Sequence, residues 1–554
     1  MTTLRSIDRR LRILFLGFVG LLAIGVTRAT ELGTLKASSL RHAAANEQVS
    51  VRTIPAPRGT ITDRDGVQLA ISESADDVVA DPYLIRKPQA VAARLAPLLA
   101  QPQGRIFAEV TKPHTGFVYL ARLLPADQAQ AILKLRINGI SLIPEVRRVY
   151  PRGSLAAQVI GLVGWGDKGL SGLEYLYNKF LRGVNGVRKT VDDAIGQPIS
   201  IDDLRQTEPG KSIRLTIDSA LQTEVEQVLA GVAAQYHPKG ATAIVMDPNS
   251  GQILALANWP RLDPNNLSRA RPQAYADWAV GLNYEPGSTF KAFTVGAALQ
   301  DGLIKPSTHF EVPPVLNIGG RQIHDAELHG YETLTVAQIL KFSSNIGAVE
   351  IGSKLGPRRF DYWVHRFGFG AATGVDLPGE QQGIVRHWWQ YSGSSMANLP
   401  FGQGESVTPM QVLAAYAAIA NGGILRSPRI VESIGGQAIP QPKGRRILSS
   451  RVAAELRTML RGVFADGGTA SGAAIPGYDM AGKTGTANIA INGRYSNSEY
   501  VASFVGMVPV DHPRLLGLVV VDQPHGGIYG GSVAAPAFQK IIGWAVPYFG
   551  IDPR

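Results

Sequence analysis

Three short motifs in this sequence carry side chains suited to acyl transfer. In Pro286-Gly287-Ser288-Thr289-Phe290-Lys291, a serine precedes a lysine by three residues, after a Pro-Gly pair that suits a helix start. On the first helical turn Ser288 and Lys291 would face the same way. Burial would lower the lysine pKa until a neutral amine could take the serine proton. S-x-x-K alone occurs by chance in many helices. Ser343-Ser344-Asn345 follows, between two helical stretches. A hydroxyl and an amide two residues apart on a turn can point into one cleft, though a helix cap and a turn also account for them. Lys483-Thr484-Gly485-Thr486 reads as a strand, with Lys483 and Gly485 on one side and Thr484 and Thr486 on the other. Lys483 and the threonine hydroxyls could hold a terminal carboxylate. Gly485 would let a substrate lie close to the strand edge. The ordered set of all three motifs is far more specific than any member.

Other chemistries fit poorly. Gly477 to Thr484 matches the pattern G-x-x-x-x-G-K-[ST] of a phosphate-binding loop. Such a loop follows an apolar strand and opens a helix. Here Gly472-Ala473-Ala474-Ile475-Pro476 precedes it, and Asn488, Asn492, Gly493 and Arg494 follow, which suit a strand and a turn. His324 and His329 have the wrong spacing for a helical zinc pair and read as a polar surface loop. His387-Trp388-Trp389 reads as a packed or interface element. No metal and no cofactor is expected. The chain has no cysteine, which removes disulfides, thiolate zinc sites and cysteine nucleophiles. Its net charge of +11 is spread along the sequence without a dense run, so a nucleic-acid partner is not expected. The excess suits weak attraction to anionic membrane or wall polymers, or simple solubility.

The elements that must position these motifs can be read in outline. The length of 554 residues predicts several domains. Arg5, Arg9, Arg10 and Arg12 precede an apolar run from Ile13 to Thr27, closed by Arg28. A membrane helix needs roughly 20 residues, so the span extends from Leu11 to Ala29 if the flanking arginines snorkel. The positive flank predicts a cytoplasmic tail at 1–10 and an extracytoplasmic remainder. A cleaved signal peptide is the rival reading, but Arg28 and Glu31 make a poor cleavage site. No second long apolar segment is present, so a single pass is expected. Residues 30 to about 50 read as a stalk. Asp65-Gly66 reads as a tight turn between short strands, and 50–210 as a mixture of strands, turns and helices. After a linker at Glu208-Pro209-Gly210-Lys211, helical spacing runs over 215–230. A hairpin is predicted over 241–257, turning at Asp247 to Gly251. Helical patterns follow at 290–302, 335–354, 410–421 and 450–464, and strands at 500–510 and 515–521. Strands at both ends of a helical middle predict an α/β sandwich whose terminal strands share one sheet.

Taken together the chain resembles the class B penicillin-binding proteins, monofunctional peptidoglycan D,D-transpeptidases, and most closely the division-type, septal members. The resemblance covers nearly the whole chain. It rests on Arg58-Gly59-Thr60-Ile61 with Asp63-Arg64-Asp65-Gly66, on Tyr150-Pro151, Gly161 and Gly172-Leu173-Glu174, and on Glu285 to Ser288 with Lys291. It continues through Lys341 with Ser343-Ser344-Asn345, Phe401-Gly402-Gln403-Gly404 with Val407-Thr408-Pro409, Lys483 to Thr486, and Tyr529-Gly530-Gly531. No glycosyltransferase module is visible between anchor and pedestal, so a bifunctional class A enzyme does not fit.

The resemblance implies a mixed α+β and α/β architecture. A non-catalytic pedestal of the dimerisation type would occupy 30–210. A transpeptidase domain would occupy 211–554, with an antiparallel sheet flanked by helices as in serine β-lactamases. It also implies roles. Ser288 attacks the penultimate D-Ala carbonyl of a stem pentapeptide, and Lys291 takes its proton. Ser343 and Asn345 relay protons and position substrate. Lys483, Thr484, Gly485 and Thr486 bind the D-Ala end, and the backbone N–H groups of Ser288 and Thr486 form the oxyanion hole. β-Lactams inhibit by acylating the same serine. Implied partners are peptidoglycan stem peptides, the cell membrane, divisome proteins and a polytopic, FtsW-like glycosyltransferase of the SEDS type. Competing readings are an elongation-type transpeptidase, a D,D-carboxypeptidase, a β-lactamase, or a β-lactam sensor or idle scaffold of the same fold.

Overall fold

The computed structural model describes residues 2–37, 49–192, 198–441, 443–491 and 494–553. Residues 38–48 of the expected stalk and the expected turn at Asn492-Gly493 lie outside the described residues. Helix α1, Thr2–Thr30, is longer at both ends than the expected span. Its stretch from Leu11 to Leu35 is long and apolar enough to cross a membrane, and none of it is buried against protein. At the end of this stretch Arg28 pairs with Glu31 at 2.5 Å, and Glu31 with Lys36 at 2.9 Å.

The chain divides into two compact units, both discontinuous in sequence. The first comprises 1–57, 74–146 and 183–209, the second 58–73, 147–182 and 210–554. The segment read as one pedestal is therefore shared between them. In the first unit, Gly186–Asp192 is the central strand of an antiparallel sheet, between Val49–Ile54 and Pro198–Arg205. Elsewhere in that unit the strand Val118–Pro125 pairs with 75–80. Val78, Leu95, Ile106, Leu120 and Ile132 form a small core there, with helices Pro88–Leu99, Gln103–Val110 and Ala126–Leu133.

The second unit is built on a five-stranded antiparallel sheet. Its elements are α2 (Ser219–Tyr236), β1 (Gly240–Met246), β2 (Ile253–Trp259), α3 (Lys291–Gln300), α4 (Val336–Phe342), α5 (Asn345–Arg366), α6 (Pro409–Ala420), α7 (Ser450–Arg461), β3 (Ala481–Ile491), β4 (Arg494–Val508), β5 (Leu515–Asp522) and α8 (Ala535–Tyr548). The strand order is β2-β1-β5-β4-β3, so the N-terminal hairpin and the C-terminal strands share one sheet, with β3 at its edge. Strand side chains alternate between faces, and here both faces are apolar. Ala243, Val245, Val519 and Val521 join the core with α2 and α8. Ile244, Met246, Leu518 and Val520 join the larger core with α3, α5 and α6. Every residue of α6 is buried, as an all-round apolar sequence requires; Thr408 and Gln411 close its first turn as a capping box. The helical pattern over 335–354 is divided at Ser343 into α4 and α5, so that Ser343-Ser344-Asn345 falls between two helical stretches as expected.

The Arg58 motif belongs to this unit. Asp63 accepts from the backbone N–H groups of Asp65 (2.9 Å) and Val67 (2.8 Å), closing the expected turn, and from Ser219 N at the start of α2 (3.2 Å). Arg58 is buried and pairs with the buried Glu174 carboxylate, which also takes Arg148 Nε at 2.7 Å. Arg58 spends its remaining N–H groups on Asn178 Oδ1 (2.9 Å), Asp167 O (3.2 Å) and Glu174 O (2.7 Å). Removing the shared anion would strip buried Arg148 of its carboxylate and leave buried Arg58 only the more distant Asp167, at 3.7 Å. Glu174→Ala is expected to destabilise this unit by about 3–5 kcal/mol, read as a lowered unfolding temperature of the purified chain.

Candidate active site

The Ser288 motif occupies a short 3₁₀ turn, Gly287–Phe290, that runs straight into α3. The turn is wedged from several sides. Gly287 adopts a φ of +54°, where a Cβ would stand 2.7 Å from Thr486 O on the edge strand. Its N–H donates to Gly402 O at 3.0 Å. Thr289 Oγ1 donates to Pro286 O at 2.8 Å, and Tyr416 of α6 donates its hydroxyl to Thr289 O at 2.7 Å. Beneath the turn Phe290 and Phe293 pack among Phe360, Phe367, Phe369 and Tyr416, with ring centroids 5.0–6.3 Å apart. Such aromatic packing holds the turn against the core.

Every residue of α3 from Lys291 to Leu299 is buried, so the Lys291 amine has no access to bulk water. Its Nζ donates to Ser343 O, to Asn345 Oδ1 at 2.7 Å and to Ser343 Oγ at 3.2 Å. These bonds go to the second motif rather than to Ser288 Oγ. Ser343 ends α4 with a φ of +61°. That left-handed conformation is uncommon outside glycine and aims the side chain out of the helical path. Ser344 then caps α5, accepting from Gly347 N at 2.9 Å. The cap and the cleft are thus both present, on neighbouring serines.

From the edge strand, Lys483 Nζ reaches the same Ser343 Oγ at 2.8 Å. One hydroxyl is therefore bracketed by two buried lysines. Desolvation pulls the Lys291 pKa down to about 7, against a smaller opposing pull from the Asp325 carboxylate. Desolvation, and then the neighbouring Lys291 charge, pulls Lys483 well below the usual lysine range. Burial and mutual repulsion both disfavour two charges on this pair. A proton can pass between the amines through the Ser343 hydroxyl, which both donates and accepts.

The face pattern expected for β3 holds. Lys483 reaches Ser343 and Gly485 faces the Ser288 turn, while Thr484 Oγ1 donates to Thr469 Oγ1 at 3.0 Å and Thr486 Oγ1 accepts from Gly530 N at 3.0 Å. The reason for the glycine differs from the expected one. A Cβ on Gly485 would stand 2.2 Å from Ser503 Oγ, 2.9 Å from Thr289 Cγ2 and 3.0 Å from Pro286 O. The space is taken by the Ser288 turn itself, so the glycine serves packing of protein on protein. A P-loop is also ruled out, because β3 continues as a strand where a helix should begin.

The sequence motifs do not reveal Asp325 and Thr469. Asp325, in the loop read as polar surface, accepts from Asn345 N (2.5 Å) and Ile346 N (3.0 Å), while Asn345 Nδ2 donates to His324 O at 2.8 Å. It thereby orients the amide that holds Lys291. A carboxylate before a helix start was the available signal, but it lies 20 residues upstream of the N–H it caps. Gly485→Ala should overpack the turn and cost about 1–3 kcal/mol. Paired thermal unfolding and fluorescent-penicillin labelling should show a lower transition and slower labelling of Ser288.

Comparison with known proteins agrees with this geometry. Residues 241–543 match the penicillin binding protein transpeptidase domain, and residues 53–215 match the penicillin-binding protein dimerisation domain. The probable peptidoglycan D,D-transpeptidase PenA of Neisseria meningitidis is 32% identical, over 97% of this chain and 91% of its own. Stage V sporulation protein D of Bacillus subtilis is 34% identical over 90% of this chain and 79% of its own. The peptidoglycan D,D-transpeptidase FtsI of Escherichia coli is 33% identical over 91% and 85%. The crystal structure of penicillin binding protein 3 from Mycobacterium tuberculosis, complexed with aztreonam, superimposes with a TM-score of 0.71 at 30% identity, covering 91% of this chain and 98% of that one. With both domain families matched and these identities extending over most of its length, this chain belongs to the penicillin-binding protein transpeptidases of class B.

Proposed function

We propose that the chain cross-links peptidoglycan as a serine D,D-transpeptidase, with Ser288 as the acylated nucleophile. The observation that carries this reading is the convergence on Ser343 Oγ of Lys483 and of Lys291, which follows Ser288 by one turn. As a neutral amine, Lys291 keeps two donated bonds, to Asn345 Oδ1 and Ser343 O, and frees a lone pair for the Ser288 proton. Ser288 Oγ then bonds to the penultimate D-Ala carbonyl carbon, the C–N bond to the terminal D-Ala breaks, and the proton leaves on that amine. The amine of a neighbouring stem peptide attacks the acyl-enzyme, and Ser288 regains a proton through the lysines and Ser343.

Lys483, Thr484 and Thr486 hold the terminal carboxylate along the open edge of β3. The N–H groups of Ser288 and Thr486 take the oxyanion, where one such donor is worth about 3–4 kcal/mol. β-Lactams acylate the same serine. The arginines before α1 favour an N-terminus in the cytoplasm and a catalytic unit outside. Resemblance to FtsI and to stage V sporulation protein D supports septal work beside divisome proteins and a polytopic SEDS-type glycosyltransferase.

Two measurements test the chemistry. Fluorescent penicillin should label one peptide containing Ser288, and Ser288→Ala should carry no label; label on another residue would sink the assignment. The acylation rate should rise with pH to a plateau, with a midpoint near the Lys291 value of about 7. Below that midpoint the protonated amine cannot accept a proton, so the rate should fall tenfold per pH unit. A flat profile from pH 5 to 8 would remove Lys291 as the base.

A further inference from the structure

A second cluster of chemistry-bearing side chains lies on the far part of α5. Asp361 and His365 are four residues apart on one helical face. His387, from the segment that precedes the short turn Trp388–Gln390, stands against them. One donor atom from each of the three lies within 4.8 Å of the others. Asp361 Oδ1 is 2.9 Å from His365 Nδ1 and 3.5 Å from His387 Nδ1. Ligands on a tetrahedron with bonds of about 2.0–2.1 Å are about 3.3 Å apart, so these separations straddle the expected edge.

A second observation points the same way. The Asp361 side chain is only 10% exposed, yet its Oδ1 accepts no hydrogen bond among the described residues. The nearby His365 Nδ1 also lies 3.0 Å from the Asp361 main-chain carbonyl. A buried carboxylate oxygen left without a donor is costly unless a cation sits on it. Buried Glu405 and half-buried Tyr391 both feel the Asp361 charge, and Glu405 Oε1 and the Tyr391 hydroxyl also lack hydrogen-bond partners among the described residues.

The His365 and His387 imidazoles pack against one another. Their rings stack at 4.6 Å with 12° between planes, and Trp389 stacks on His387 at 4.3 Å and 15°. The Gln390 side chain accepts from His387 N at 2.9 Å, which fixes the backbone. His387 is open enough to water for solvent to supply a further ligand. Two imidazoles and a carboxylate are a donor set suited to zinc and its neighbours rather than to calcium or magnesium.

We propose that Asp361, His365 and His387 bind one divalent transition-metal ion of the zinc class, with water as the fourth ligand. The ion fastens the His387–Gln390 turn to the end of α5. The same chain segment pairs through Ile384 N with Ser406 O at 2.7 Å, next to Gly404, whose N–H donates to Glu285 at 3.1 Å. The staple is therefore connected through the main chain to the Ser288 turn, without touching the reacting atoms. Binding displaces the His365 Nδ1 proton, so affinity falls as the pH is lowered.

The test uses the full chain in detergent, stripped with a chelator and titrated with zinc sulfate against a chromophoric competitor. The expected result is one zinc ion per chain, a zinc-dependent rise in unfolding temperature, and a cobalt-substituted form with the visible bands of a four-coordinate site. His365→Ala and His387→Ala should each weaken binding by about tenfold or more. His387→Phe retains the stack on Trp389 and should weaken it equally, which separates ligation from packing. His329→Ala should leave binding unchanged, although His329 lies 3.2 Å from Asp325. Penicillin labelling of every variant reports that the fold is intact. Absence of stoichiometric binding, binding indifferent to His387→Phe, or binding lost with His329→Ala would each overturn the proposal.

Discussion

Everything at the active centre depends on keeping two lysine amines out of water. Taking an ammonium into a protein interior costs several kcal/mol, and the cost is met here by partial neutralisation and by hydrogen bonds. Lys291 emerges from a helix with no exposed face and finds acceptors on Ser343 and Asn345. Lys483 emerges from the edge strand and finds Ser343 again. A hydroxyl between two amines lets one proton be shared without either charge reaching solvent. Any change that wets α3 would restore ordinary lysine behaviour to Lys291.

The rest of the second unit can be understood as the support for that dry pocket. A sheet apolar on both faces needs a helical layer on each side, and α2 with α8 on one side and α3, α5 and α6 on the other supply them. An edge strand must stay open for main-chain recognition of an extended peptide, and β3 holds that position. The close seat of the Ser288 turn on β3 then leaves no room for a side chain at 485. The left-handed backbone at Ser343 is a strain that local sequence does not favour, held because both lysines use the hydroxyl it presents.

Buried polar groups recur wherever distant segments meet. Glu174 joins two arginines, one of them 116 residues away in sequence. Asp63 closes its own turn and caps a helix 156 residues on. Asp325 does the same for α5. Each replaces water with directed donors, which gives a unique docking geometry that apolar packing alone would not. Asp361 differs from these three: its Oδ1, like Glu405 Oε1, accepts no hydrogen bond among the described residues.

The sequence by itself determined the parts of this protein governed by short-range periodicity and by side-chain type. The apolar N-terminal run, the 241–257 hairpin, the alternating strands after 480 and the Ser288–Lys291 pair are all legible, because spacings of two, three and four residues fix which side chains share a face. The chemical order of Ser288, Ser343 and Lys483 was legible for the same reason. Only the tertiary structure decided which atoms meet. Ser343 Oγ lies between lysines 52 and 140 residues away. Asp325 sits under Asn345, and Gly485 is required by Thr289 and Ser503 rather than by a ligand. His387 read as packing until α5 brought Asp361 and His365 beside it. Such meetings depend on how whole layers pack, and on the sum of many weak contacts. No local window of the chain contains that sum.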